Sequence, residues 1–82
     1  MMTLNRFTAT RDLLLLTVFR KGDGWGLRVE EIDDPDGAYA PDTTYPNDGI
    51  AKSKATMAVQ ELFGYGYAEG DFNWEPTGAT HL

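Results

Sequence analysis

Apolar residues dominate, and then alternate with polar ones, along the first third of the chain. Residues 13–19 have the sequence LLLLTVF, and residues 24–30 have the sequence GWGLRVE, in which every second side chain is apolar. Such alternation is typical of a half-buried β-strand, and the intervening glycine and aspartate suit a tight reversal. We therefore predict a β-hairpin with strands over about 12–21 and 24–32.

An alternative for residues 12–21 is a short helix that Thr10 caps and Gly22 ends. The hairpin is preferred because GDGWG, which follows, cannot continue a helix. Ahead of the hairpin, residues 3–10 have the sequence TLNRFTAT, whose phenylalanine and threonines favour a short edge strand.

The segment NDGIAKSKATMAVQELFG has the pattern of a helix. Asn47 or Asp48 is expected to cap it, and Gly64 to end it. One apolar stripe at helical spacing contains Ala51, Ala55, Ala58, Val59 and Leu62. The side chains expected to face water are Lys52, Lys54 and Gln60. We predict a helix over about 48–63 whose alanines let it lie close to a sheet.

Aromatic residues are concentrated in YGYAEGDFNWEP, near the end of the chain. Tyr65 and Tyr67 share one face of an extended segment, as do Phe72 and Trp74, because alternate side chains of a strand point the same way. This pattern predicts a last strand or a short hairpin before Pro76.

Together these elements predict a single α+β domain over residues 1–82. An antiparallel sheet of three or four strands carries one amphipathic helix on a face, and residues 77–82 form a frayed tail. An unpaired hairpin edge leaves both a monomer and a homodimer open.

The most acidic segment is EEIDDPDGAYAPDTTYPNDG, residues 30–49, with seven carboxylates and neither lysine nor arginine. It also contains three prolines and two glycines, which argue against regular secondary structure. Residues 33–47 are therefore predicted to form an acidic loop. Loops of this length inside a compact domain are typically functional or mobile.

Charge is divided unevenly along the chain. Residues 1–28 carry five basic and two acidic side chains (+3), whereas residues 29–82 carry two basic and eleven acidic ones (−9), which together give −6. A negative field repels nucleic acid and anionic membranes and attracts basic surfaces. We expect a basic protein or nucleoprotein complex as partner, with no direct contact to nucleic acid or membrane.

The apolar run over residues 13–19 is too short to cross a bilayer, which requires about 20 residues. No small-residue cleavage site follows it. The chain has no cysteine, so disulfides and thiolate chemistry are excluded and nothing indicates an oxidising compartment. We expect a soluble, cytoplasmic protein.

A calcium site is the first chemistry that an acidic, glycine-containing segment suggests. With Gly37 at the sixth position of an EF-hand loop, Ile32 falls at the first position, which needs an oxygen ligand, and Thr43 at the twelfth, which needs a bidentate carboxylate. No EF-hand is therefore predicted. Weak binding of a divalent metal by Asp33, Asp34 and Asp36 stays open as the lesser alternative.

Catalytic residues are not evident. Ser53 is the only serine and His81 the only histidine; one lies within the predicted helix and the other at the chain end, so they do not form a nucleophile–base pair by pattern. GYGYAEG follows a helix instead of opening one, and no phosphate loop is predicted. We predict a protein that is not an enzyme and has no cofactor, catalytic residue or structural metal.

Several features together resemble the small acidic phage proteins that block host defence, including anti-CRISPR proteins and DNA mimics. They are the size, the absence of cysteine, the hairpin LLLLTVFRKGDGWGLRVEEI, the acidic EEIDDPDGAYAPD and the alanine-rich GIAKSKATMAVQELF. The resemblance is architectural, covers most of the chain and includes no diagnostic motif. It implies an inhibitor, in the cytoplasm of a bacterial host, that presents carboxylates to a basic phosphate-binding site of a nucleic-acid-handling complex.

Under that hypothesis, the carboxylates replace phosphates and two tyrosines slow dissociation. The residues expected to contact the partner are Glu30, Glu31, Asp33, Asp34, Asp36, Tyr39, Asp42 and Tyr45. A housekeeping or antitoxin-like module that neutralises a basic protein would have the same acidic signature, and acidity that serves solubility alone is a further alternative.

Overall fold

A computed structural model describes residues 5–77 of the chain. The elements are β1 (Arg6–Arg11), β2 (Leu14–Lys21), β3 (Gly24–Glu31), β4 (Asp34–Tyr39), α1 (Asp48–Glu61), a 3₁₀ turn (Glu69–Asp71) and β5 (Glu75–Pro76). The strands form one antiparallel sheet in the order β4-β3-β2-β1-β5. The predicted α+β fold is confirmed; within the described residues the sheet has five strands instead of three or four.

Two-residue turns join β1 to β2 and β2 to β3. The register leaves residues 12–13 and 22–23 as these turns. A two-residue hairpin turn requires a positive φ at its first residue, and Gly22 has φ 61° there. The predicted hairpin is confirmed. The alternative helix over 12–21 is wrong because β2 is a strand that pairs with neighbours on both sides.

The sheet buries one face under α1. Residues directly opposite each other in antiparallel strands share a face, and the register collects apolar residues of β1, β2 and β3 there. The buried members are Ala9, Leu14, Leu16, Val18, Leu27 and Val29 from the sheet and Ala51, Ala55, Ala58 and Val59 from α1. The small alanines let the helix lie close to the sheet. The opposite face is more polar, with Thr17 between Thr8 and Arg28.

α1 begins and ends close to the predicted positions. The side-chain oxygen of Asn47 accepts a hydrogen bond from the N–H of Ile50 at 2.8 Å, which caps the helix as predicted. The helix ends at Glu61, and Gly64 follows with φ 76°. The last member of the predicted apolar stripe, Leu62, is 59% exposed because it lies past the helix end.

Lys54 and Gln60 face solvent as predicted, but Lys52 is half-buried. Its ammonium lies 3.7 Å from the centroid of the Phe7 ring and 3.0 Å from the carboxylate of Asp48. The long stem of a lysine covers apolar surface while its charge keeps a carboxylate and an aromatic face as partners. The prediction that Lys52 faces water is therefore wrong.

The acidic segment is partly a strand, so the predicted loop over 33–47 is wrong for Asp34–Tyr39. β4 is the outermost strand beside β3, where a proline is tolerated because the outward side requires no N–H donor. The register shifts between Val29 and Glu31, so β4 carries a bulge. Bulges accommodate residues that a regular ladder would not.

β4 ends where its next pairing position would fall on a proline. Continuing the β3–β4 register would place Pro41 opposite Leu27, and proline has no N–H to donate. The chain returns to β3 at Tyr45, whose N–H and C=O bond to the backbone of Trp25 at 2.8 and 2.9 Å. Residues 40–44 are irregular, as predicted for this part of the segment.

The strands predicted near the two ends of the chain are both present. The strand predicted over 3–10 is β1, but it is not an edge strand, because β5 pairs with its outer side. The strand predicted in the aromatic segment is limited to the two-residue β5, which includes Pro76. Thr77, predicted to be frayed, donates its N–H to the carbonyl of Arg6 at 2.9 Å. The rest of the predicted tail, 78–82, lies outside the described residues.

Candidate protein-binding surface

The six carboxylates and two tyrosines predicted to contact a partner do not lie on one loop. They divide into a group at one end of the sheet, a tyrosine pair beside α1 and isolated carboxylates elsewhere. In that order the members are Glu31, Asp33 and Asp34; Tyr39 and Tyr45; and Glu30, Asp36 and Asp42.

Two turns meet at one end of the sheet. Residues 12–13 join β1 to β2, residues 32–33 join β3 to β4, and the N–H of Ile32 bonds to the carbonyl of Leu13 at 2.6 Å. Four carboxylates belong to these turns and the strand ends beside them. We refer to the following set as the acidic tip: Asp12, Leu13, Glu31, Ile32, Asp33 and Asp34.

The carboxylates of the acidic tip have no cationic partner in the described part of the chain. Three other carboxylates, all within the acidic segment 30–49, do form ion pairs. The pairs within residues 5–77 are Arg28–Glu30 at 3.1 Å, Lys52–Asp48 at 3.0 Å and Lys21–Asp42 at 3.7 Å. No ion pair within residues 5–77 therefore compensates the negative charge of the tip.

The acidic tip also exposes two large apolar side chains. Leu13 is 49% exposed and Ile32 is 54% exposed. Single exposed aliphatic residues are common on protein surfaces, but the backbone hydrogen bond between these two makes them neighbours. Apolar contact area bordered by polar groups is typical of protein-binding surfaces.

Two tyrosines after α1 hold carboxylates of the acidic tip in place. The Tyr65 hydroxyl donates a hydrogen bond to Glu31 at 2.9 Å, and the Tyr67 hydroxyl donates one to Asp12. The two rings stack with centroids 6.0 Å apart, so they share a face as predicted from their spacing. These contacts reduce the side-chain freedom that a partner would otherwise have to remove on binding.

The pKa of Tyr65 is raised from its ordinary value of 10.0. The largest cause is the hydrogen bond to Glu31, followed by burial and by the negative charges of Glu31, Asp33 and Asp12. Because three carboxylates from two separate turns act on one hydroxyl, the structure concentrates their charge at this end of the sheet.

Tyr39 and Tyr45 line a groove between the sheet and α1, with a volume of about 310 Å³. We refer to it as the side groove; its helix side is formed by Lys54, Met57, Ala58, Glu61 and Leu62. Both tyrosines are half-buried against the core, because β4 and the bridge from Tyr45 to Trp25 hold them on the sheet. Burial raises the pKa of Tyr45, and the neighbouring Tyr39 adds to that shift.

Glu30, Asp36 and Asp42 do not join the acidic tip. Glu30 accepts a hydrogen bond from Arg28 on the open face, because successive strand residues point to opposite faces. Asp36 is exposed within β4, and Asp42 lies beside Lys21 at the other end of the sheet. Asp42 lies in the irregular part of the segment, as predicted, whereas Asp36 lies in β4 instead of a loop. That these three residues contact a partner stays a prediction.

Within residues 5–77, no three histidine, cysteine, aspartate or glutamate side chains are placed to hold a metal ion. Ser53 lies on α1, and His81 is outside the described residues. Among those same residues, no helix combines the length and apolar character needed to cross a membrane.

Comparison with known proteins gives no match to a family model, to a curated protein or to a solved structure. The resemblance to anti-CRISPR proteins therefore stays a prediction. What this protein binds has to be inferred from the geometry and charge of its surface.

Sequence reasoning missed Asp12, Leu13 and Ile32 as members of the acidic tip. A signal for them was present in the predicted hairpin. Its register brings the residues before β2 beside the residues after β3, so the turns at 12–13 and 32–33 had to meet.

Proposed function

We propose that the protein is a non-enzymatic binding protein whose acidic tip occupies a basic, phosphate-binding surface of a nucleic-acid-handling protein complex and thereby inhibits it. The observation that supports this most directly is that four carboxylates without an ion pair in residues 5–77 share the acidic tip with two exposed aliphatic side chains. Acidity needed for solubility alone does not require exposed leucine and isoleucine beside it.

Charge and apolar contact have different roles in this proposal. Uncompensated carboxylates accelerate encounter with a basic surface and orient it, and this effect weakens as salt rises. Burying the exposed halves of Leu13 and Ile32 contributes about 1 kcal/mol each, which slows dissociation. A surface with both features discriminates a basic protein from a simple polycation.

The experiment is capture from bacterial lysate by immobilised protein at low salt, followed by elution with double-stranded DNA. The tip variant carries Asp12→Asn, Glu31→Gln, Asp33→Asn and Asp34→Asn. A control variant with the same change in net charge carries Asp23→Asn, Asp42→Asn, Glu69→Gln and Glu75→Gln, all outside the tip.

We expect the unsubstituted protein and the control variant to capture the same nucleic-acid-binding proteins, which DNA then displaces. The tip variant is expected to lose them. If both variants lost the captured proteins equally, net charge alone would explain the binding. If both variants retained the captured proteins equally, the tip would not be the contact surface. Either result overturns the proposal.

A further inference from the structure

The side groove lies next to the acidic tip on the helix side of the sheet. Leu62 lines the groove, and Tyr65, three residues further on, donates its hydroxyl to Glu31 of the tip. On the sheet side, Tyr39 of the groove pairs with Val29, two residues before Glu31 in β3. A ligand on the tip is therefore within reach of the groove.

The lining of the groove favours an apolar side chain. Met57 is 40% exposed and Leu62 is 59% exposed on the helix side, and Tyr39 and Tyr45 face them from the other side. A volume of about 310 Å³ is at the lower limit of small-molecule pockets, which span about 300–1,000 Å³. It suits one inserted side chain better than a whole cofactor.

The charge next to the groove selects the kind of partner. The lining itself carries one cation and one carboxylate, Lys54 and Glu61, so the excess of negative charge comes from the adjoining acidic segment. Asp33 and Asp34 of the tip and Asp36 of β4 have no ion pair within the described residues. A second copy of this chain would bring the same carboxylates opposite these ones, and like charges placed opposite each other are destabilising. A segment with lysine or arginine is complementary to them.

We propose that the side groove receives a large apolar side chain from a lysine- or arginine-bearing segment of the partner, whose cations contact the acidic tip. This inference rests on the proposed function and specifies it: the partner is recognised by a short basic segment with an apolar anchor. Met57 and Leu62 are then anchor-binding residues, whereas the tip carboxylates supply attraction over a longer range.

The experiment uses synthetic peptides of about seven residues, the length of a typical strand. One peptide alternates lysine with leucine, a second alternates lysine with serine, and a third alternates glutamate with leucine. Binding to the full chain is followed by fluorescence anisotropy over a series of salt concentrations. The groove variant is Met57→Ala with Leu62→Ala; Ile50→Ala, at 38% exposure and outside the groove lining, is the matched control.

We expect only the lysine–leucine peptide to bind well. The groove variant should weaken its binding about ten-fold without changing the dependence on salt, while Ile50→Ala leaves affinity unchanged. The tip variant should instead flatten the salt dependence.

Equal binding of the lysine–serine peptide, no effect of the groove variant, or no binding of the lysine–leucine peptide would each overturn the anchor proposal. The proposed function has its own test in the lysate capture with the tip variant. If peptide binding depends on the tip and not on the groove, the anchor proposal fails while the proposed function stands.

Discussion

The two turns at opposite ends of β2 have the same length but different residues. Both connect strands through two residues, and in both the first residue has a positive φ: 53° at Asp12 and 61° at Gly22. Glycine adopts this conformation without steric cost, whereas an aspartate does so less readily. Of the two turns, only the one at the acidic tip therefore has a residue other than glycine at the position with positive φ.

This difference shows where the chain gives up local stability for surface chemistry. At the far turn, Gly22 satisfies the backbone and contributes no side chain. At the tip, Asp12 contributes a carboxylate that Tyr67 contacts and that no cation neutralises within the described residues. Backbone conformations that are sparsely populated tend to persist at functional sites, which is consistent with a role for this turn in binding.

The largest effect is expected at the turn that has glycine. Gly22→Ala should lower the free energy of unfolding by about 1–2 kcal/mol, because an added Cβ disfavours the left-handed region. No atom beyond the two neighbouring residues lies within 4 Å of that Cβ, so the loss reports the local backbone conformation alone. Urea denaturation measures it. Gly66→Ala is the control, since its surroundings are equally open and its φ is not positive; an equal loss there would contradict the explanation.

A smaller effect is expected at the tip. Asp12→Ala should lower the free energy of unfolding by about 1 kcal/mol or less. The aspartate already bears part of the steric strain of a positive φ, which alanine would bear fully. Asp12→Asn should change stability by less than about 0.5 kcal/mol, since asparagine also tolerates this region. Urea denaturation of both variants beside Gly22→Ala gives the ordering. Equal losses for alanine and asparagine would assign the effect to the charged contact with Tyr67 instead of the backbone.

The fold followed from local sequence wherever one periodicity dominated. An apolar run followed by an alternating segment predicted the two strands of the hairpin, and the Asn47 cap with its alanine stripe predicted α1. β4 was missed because Pro35 and Gly37 argue against a strand in general. They are tolerated at this particular position, which is outermost and bulged. Position in a sheet is a tertiary property that composition does not contain.

The site was only partly accessible from sequence for the same reason. Counting carboxylates located the acidity in residues 30–49. It did not reveal which of these carboxylates form ion pairs with cationic side chains. Glu30 and Glu31 are neighbours in the chain, yet one bonds to Arg28 on the open face and the other to Tyr65 on the helix side. Strand alternation separates them, and the partners of each come from elements that are distant in sequence.

The smallest expected effect concerns the ionisation of Tyr65, and it distinguishes between the two neighbouring glutamates. The pKa of Tyr65 is raised mainly by its hydrogen bond to Glu31, so Glu31→Gln should lower it toward about 10. Glu30→Gln removes the same charge one residue away and should have little effect. Ultraviolet absorbance of tyrosinate, with Tyr65→Phe to assign the transition, measures this.

Because the folded-state pKa of Tyr65 is higher than its unfolded-state pKa, the stability contributed by neutral Tyr65 is complete below about pH 10. It is lost as pH rises through the folded-state value. An equal shift from both glutamine variants would mean that Tyr65 responds to the general field of the protein and not to its contact with the tip.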